Sequence, residues 1–157
     1  MNAEAEALIE TLRLKPHPEG GFYRETYRSS QRVVTPRGSD RSALTCIYYL
    51  LAGGFSAFHR LGSDEVWHLY RGGPLRLELI EPAGRHEART LAAEGPWQTT
   101  IPAGTHFAAH VDGDEGWALV GCDVAPGFEF ADFALTTRSM LTAAYPHLAP
   151  IIAKYTR

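Results

Sequence analysis

This chain has little cysteine, no concentrated positive charge and no long apolar run, and each shortage excludes something. Only 2 of its 157 residues are cysteines. Cys46 and Cys122 both sit in apolar runs and lack the spacing of a zinc motif, so they read as small buried hydrophobes rather than a redox pair. Lys and Arg number 15 against 18 Asp and Glu, a net charge of −3, with no dense basic stripe. Nucleic acid and anionic membranes are therefore poor partners. No apolar run approaches the ~20 residues of a membrane span. The opening MNAEAEALIE is acidic and lacks the basic-then-apolar order of a signal peptide,. The expected location is the cytoplasm. There is no internal repeat, linker or low-complexity tract.

What is present is an ordinary globular balance, 45% hydrophobic and 21% charged, which argues against disorder. The length suits one domain spanning 1–157. Residues 3–14 read as a helix with an apolar stripe of Leu8, Ile9 and Leu12, ended by Pro16. After that, short runs rich in Val, Ile, Thr and aromatics alternate with Gly, Pro and Asp clusters, the pattern of strands and turns. The expected strands are 21–28, 43–51, 55–60, 65–71, 75–81, 86–91, 97–101, 105–110, 117–124 and 128–135. In 75–81, Leu75, Leu77 and Leu79 alternate with Arg76 and Glu78, which predicts one dry and one wet face. The segment 43–51 is apolar on both faces, which predicts a central or interface position. Residues 137–155 start helically and are broken into short turns by Pro146 and Pro150. So many strands in one chain predict an all-β sandwich or barrel at 18–135, and closure removes the exposed edges.

The stretch richest in chemistry runs from Gly53 to Gly72: Gly53-x5-His59-x-Leu61-x3-Glu65-x6-Gly72. Side chains alternate along a strand, so His59, Leu61, Glu65, Trp67 and Leu69 share one face. An acid/base pair on a mostly apolar surface is what a small-molecule pocket looks like. His59 is a competent general base and Glu65 a group to orient it. Trp67 reads as pocket wall, and His68, of opposite parity, as a structural histidine. Arg24, in the block Glu19 to Thr26, suits an anionic ligand group or an intersubunit ion pair. Tyr23, Tyr48, Tyr49 and Tyr70 are available phenols, Tyr23 and Tyr48 being the ones expected at the ligand. Gln98 offers an amide.

Gly53-x5-His59 and Glu65-x6-Gly72 resemble the first signature of the cupin superfamily, and Pro102-x-Gly104 the start of the second. Leu61 and Phe107 stand where the usual further histidines would fall. A longer resemblance, to the cupin-5 branch (a domain of unknown function), covers nearly the whole chain. It is carried in order by 18–26 (PEGGFYRET), 45–51, 56–61 (SAFHRL), 64–68 (DEVWH) and 125–133 (APGFEFADF). The resemblance implies a double-stranded β-helix, a homodimer and a barrel pocket for a small polar metabolite. Metal-free sugar epimerases of the superfamily pair a His base with a Tyr acid. Three readings remain open at this point. One is a metal-independent sugar or sugar-nucleotide epimerase or isomerase with His59 as base and no cofactor. The second is a metabolite-binding module without turnover. The third is an oxygenase with a divalent metal on His59, Glu65 and His106, the last reached only if its strand is distorted.

Overall fold

The computed structural model describes residues 1–113 and 116–157. Its first helix, α1 (Ala3–Leu12), starts where the Asn2 side chain accepts the Glu4 N–H at 2.9 Å,. It stops short of the expected end at 14 because Arg13 turns left-handed, with φ 53°. Pro16 is already past the turn, in strand β1 (Lys15–Pro16). The strands that follow are β2 (Phe22–Arg28), β3 (Arg32–Val34), β4 (Asp40–Ser42), β5 (Thr45–Ala52), β6 (Phe55–Arg60), β7 (Asp64–Gly72), β8 (Leu75–Ile80), β9 (His86–Leu91), β10 (Gln98–Ile101), β11 (His106–Val111), β12 (Trp117–Ala125) and β13 (Ala134–Leu135). Helices α2 (Arg138–Ala144) and α3 (Ala149–Lys154) close the chain. Pro146 opens the single turn 146–148 between them and Pro150 opens α3, the positions where a missing N–H costs nothing,.

A six-stranded sheet, β1-β2-β5-β12-β7-β10, faces a five-stranded sheet, β13-β6-β11-β8-β9, and β3 and β4 form a separate hairpin. The pairings are antiparallel, and the fold is a jelly roll, as expected,. Between the sheets lie Tyr49, Leu51, Trp67, Leu75, Leu77, Leu79, Phe107 and Val120, all buried. Each such side chain contributes roughly 1.5–3 kcal/mol on burial.

The second apolar face of β5 has a plain explanation. Leu50 points away from the barrel core and is covered, with Leu119, by Ala5 and Leu14 at the N-terminal helix. The predicted wet face of β8 is largely dry: α2 and α3 lie over it, so Ile80 packs with Phe58, Leu141, Ile152 and Tyr155. Glu78 is buried there beside His86 and His110, 2.7 Å and 3.5 Å away.

Two further expectations change. Residues 128–135 do not form a strand; Phe130–Asp132 is a single helical turn, and only Ala134–Leu135 pairs with β6. Phe128, Phe130 and Phe133 break the two-residue alternation, and Asp132 is instead clamped by Arg41 through bonds of 2.6 and 2.9 Å. The β3–β4 hairpin was not legible, because its strands are three residues each and mostly exposed. It turns through 35–38, where the Gly38 N–H reaches the Thr35 carbonyl at 2.8 Å and φ is 81°.

Candidate functional site

Strands β6 and β7 place His59, Glu65 and Trp67 on the barrel's inner face, and Leu61 joins them from the connecting loop. Together with Tyr23, Tyr49, Cys122, Phe128 and Phe133 they line a cavity of about 40 Å³. That is room for about three waters, and far below the several hundred Å³ of an open metabolite pocket. The aromatic segment 128–133 forms part of its wall.

The carboxylate that meets His59 is Glu19, not Glu65. Glu19 Oε2 lies 2.8 Å from His59 Nε2, and both side chains are almost fully buried. Glu19 gets there because the 17–21 turn docks on β6. The Gly20 N–H bonds the His17 carbonyl at 3.0 Å, and the Ala57 N–H donates to the Glu19 carbonyl at 2.8 Å. Gly21 permits the close approach: φ is 72°, and a Cβ there would stand 2.7 Å from Tyr49 Oη and 2.8 Å from the Leu50 carbonyl. Tyr49 Oη in turn donates to the Gly20 carbonyl at 2.8 Å.

His59 Nδ1 lies 2.7 Å from the Ala57 carbonyl. A carbonyl only accepts, so Nδ1 carries a proton, and Nε2 faces a carboxylate. Burial opposes the charge on both members. The pairing outweighs it, so His59 is raised above its ordinary value and Glu19 lowered below its own,. His59 is therefore an imidazolium held between a carbonyl and a carboxylate. With both ring nitrogens committed it has no lone pair for a ligand, which corrects its expected role as a free base. His17 beside it is neutral; burial lowers it despite Glu19.

Glu65 is the free acid/base group. Burial pushes its carboxyl up to about 7, against the pull of His59 and with the repulsion of Glu19. Its Oε2 is buried with no partner at hydrogen-bond distance, and so is the Trp67 indole N–H two residues on, though Trp67 and Cys122 lie near enough to draw the Glu65 carboxyl down slightly. Unpartnered buried polar atoms on a cavity wall are positions for ligand atoms. Cys122 is held neutral, chiefly by burial.

The other expected residues fall elsewhere. Tyr23 lines the cavity, edge-on to His17 with centroids 4.7 Å apart. Tyr48 does not: it pairs with Arg24 on the outer face of the six-stranded sheet, where the Arg24 guanidinium lies over its ring at 5.9 Å. The phenol facing inward is its neighbour Tyr49. Gln98 is exposed on edge strand β10, opposite His68. His68 bonds Asp123 at 3.1 Å. His106 keeps the outward parity of β11. It bonds Thr136 Oγ1 at 3.1 Å and is lowered to about 4, by burial first and then by Arg60. The irregular β11–β6 register lies beyond it, between Phe107 and Ala109.

The set His59, Glu65 and His106 is therefore not assembled, and Leu61 and Phe107 supply no donor to replace it. Among the described residues, no cluster of three His, Cys, Asp or Glu side chains is arranged to hold a metal. These residues do not fit a bound metal ion. Nor is any helix among them long and apolar enough to cross a membrane.

Known proteins share this fold. A structure from Leishmania major, described as a hypothetical protein, superposes with a TM-score of 0.92 at 34% identity, covering 99% of each chain. Protein SO0799 of Shewanella oneidensis gives 0.87 at 37%, covering 100% of this chain and 98% of that one. Uncharacterized protein YML079W of Saccharomyces cerevisiae is 27% identical over 147 residues, 81% of this chain and 72% of that one. A Bacillus subtilis oxalate decarboxylase shares the fold alone, at 18% identity and a TM-score of 0.56, over 89% of this chain and 36% of that one. Residues 6–136 match the Cupin_5 model, cupin superfamily (DUF985), and the chain belongs to that family.

Proposed function

We propose that the barrel cavity binds a small carbonyl metabolite and moves a proton on the carbon beside its carbonyl, as an isomerase or epimerase that uses no metal. The observation that carries this is Glu65, a buried carboxyl poised at about 7 with an unpartnered oxygen on the cavity wall. A group that titrates near neutrality serves as base and then as acid in one turnover. The Glu65 carboxylate takes the proton from carbon, and the C–H electron pair moves into the carbonyl to form an enolate. Glu65 returns the proton to the same or the adjacent carbon. The His59 imidazolium, fixed by Glu19, supplies positive charge to the developing enolate. The Trp67 N–H supplies a donor that needs no reorganisation. In this reading His59 stabilises charge and Glu65 transfers the proton.

The test is carbon-bound deuterium incorporation in D₂O, followed by proton NMR over a panel of hydroxyketones and keto sugars. Wild type exchanges at least one member, and Glu65→Gln loses the exchange while retaining binding. A protein that binds panel members with no exchange by either form fits the second reading, a binding module. That reading is supported by the small size of the cavity, about 40 Å³, which suits holding a ligand group without turnover.

A further inference from the structure

A second, larger cavity adjoins the first. It is a surface cleft of about 490 Å³, and Leu61 and Phe133 line both spaces. Its other walls include Arg37, Arg60, Gly62 and Gly104. The inner cavity holds only about three waters, so a metabolite of several heavy atoms must extend past Phe133. The cleft is where its remainder would lie.

The cleft is electropositive in a chain of net charge −3. Its carboxylate, Asp132, is already engaged by the two short bonds from Arg41. Arg37 shares the same carboxylate through a longer ion pair, Nη2 to Oδ1 at 3.5 Å. Arg60 makes no ion pair with any described residue. Asp64 does not line the cleft and accepts the Ala103 N–H at 2.8 Å. Arg37, Arg41 and Arg60 thus outnumber Asp132 by two positive charges. Arg37 is also held in position: its Nη2 donates to the Gly62 carbonyl at 3.2 Å, and a Cβ at residue 62 would stand 2.0 Å from that same nitrogen. Only glycine there lets the guanidinium lie across the chain. Gly104 leaves the opposite rim open, with nothing within 4 Å of where a Cβ would sit.

We propose that this cleft is a phosphate subsite: Arg37 and Arg60 bind the phosphoryl group of a phosphorylated metabolite whose carbonyl end passes Phe133 to Glu65. Two guanidiniums suit a group with three acceptor oxygens. The assignment deepens the acid/base reading and rests on it for the position of the reacting carbon. The anion site itself is independent of that reading.

The first experiment titrates inorganic phosphate into ¹⁵N-labelled protein at constant ionic strength and follows the arginine Nε–H signals. The Arg37 and Arg60 signals shift saturably. Arg37→Ala and Arg60→Ala each weaken binding about tenfold, as loss of one charge-assisted contact does. Gly62→Ala weakens it similarly by displacing Arg37, and Glu65→Gln leaves it unchanged. No saturable shift, or a shift indifferent to both arginine variants, overturns the subsite. The second experiment compares deuterium exchange into a three-carbon hydroxyketone and into its phosphate monoester. A preference for the phosphate that Arg60→Ala removes supports the proposal. Equal exchange of both, abolished by Glu65→Gln, overturns the subsite and leaves the acid/base reading standing. Phosphate binding without exchange of either does the reverse.

Discussion

Replacing Glu65 by Gln should make the protein more stable at pH 8 and leave it unchanged near pH 4. Glu65 titrates at about 7 when folded, against an ordinary value of 4.5. Below pH 4.5 the carboxyl is neutral in both folded and unfolded chains. Between 4.5 and about 7 the unfolded chain loses this proton while the folded chain keeps it. Stability therefore falls as pH rises through that window, by up to about 1.4 kcal/mol per pH unit. Above it the folded protein carries a buried charge that costs about 3 kcal/mol relative to the acid form. Gln keeps the shape and removes the titration, so Glu65→Gln regains that amount, which for a chain of this size is roughly 6–12 °C in melting temperature. Thermal or urea unfolding of both proteins from pH 4 to 8 measures the difference. The other buried groups are present in both and largely cancel in it. A difference that stays flat with pH, or grows toward acid, refutes the argument and with it the placement of Glu65 as the poised group.

The Glu19–His59 pair has the opposite signs. Glu19→Gln removes the counterion, so burial pulls the His59 titration, read by NMR, below 6.5; loss of the buried pair, by stranding the charge or by forcing the ring neutral, is expected to cost about 3–5 kcal/mol at pH 6. In wild type, the stabilisation from lowered Glu19 is present above 4.5 and lost as pH falls through its folded value. The part from raised His59 is present below 6.5 and lost as pH rises through its own folded value. Arg41→Ala frees Asp132, so amide hydrogen exchange should quicken across 130–134 and little elsewhere; uniform quickening would mean global destabilisation instead. Gly21→Ala drives a Cβ against Tyr49 Oη and the Leu50 carbonyl at an unfavourable φ. A loss of more than about 1 kcal/mol in urea unfolding is expected.

Fold class and most strand positions were legible because each depends on local chemistry: two-residue apolar alternation, and turn residues between runs. β6 at 55–60 and β9 at 86–91 fall where the alternation puts them. The pattern failed where tertiary contacts override it. At 128–135 the aromatics serve the cavity wall and Asp132 serves Arg41, so no single face repeats. On β8 the expected wet face carries Glu78, which the C-terminal helices bury.

For the site, the sequence by itself determined that His59, Leu61, Glu65 and Trp67 share one inward face, because strand parity is a property of the backbone. It also set the family, through blocks of residues in order, and it marked Glu19 as one charged residue between a proline and two glycines. Only the tertiary structure decided which carboxylate meets the imidazole. Glu19 and His59 are forty residues apart in the chain, and their 2.8 Å contact follows from the docking of the 17–21 turn on β6. That contact makes His59 a fixed cation and leaves Glu65, six residues further on in the next strand, as the group free to titrate. Chain spacing specifies which way a side chain points; charge and protonation depend on what is packed against it, and that is settled only when the sheets close.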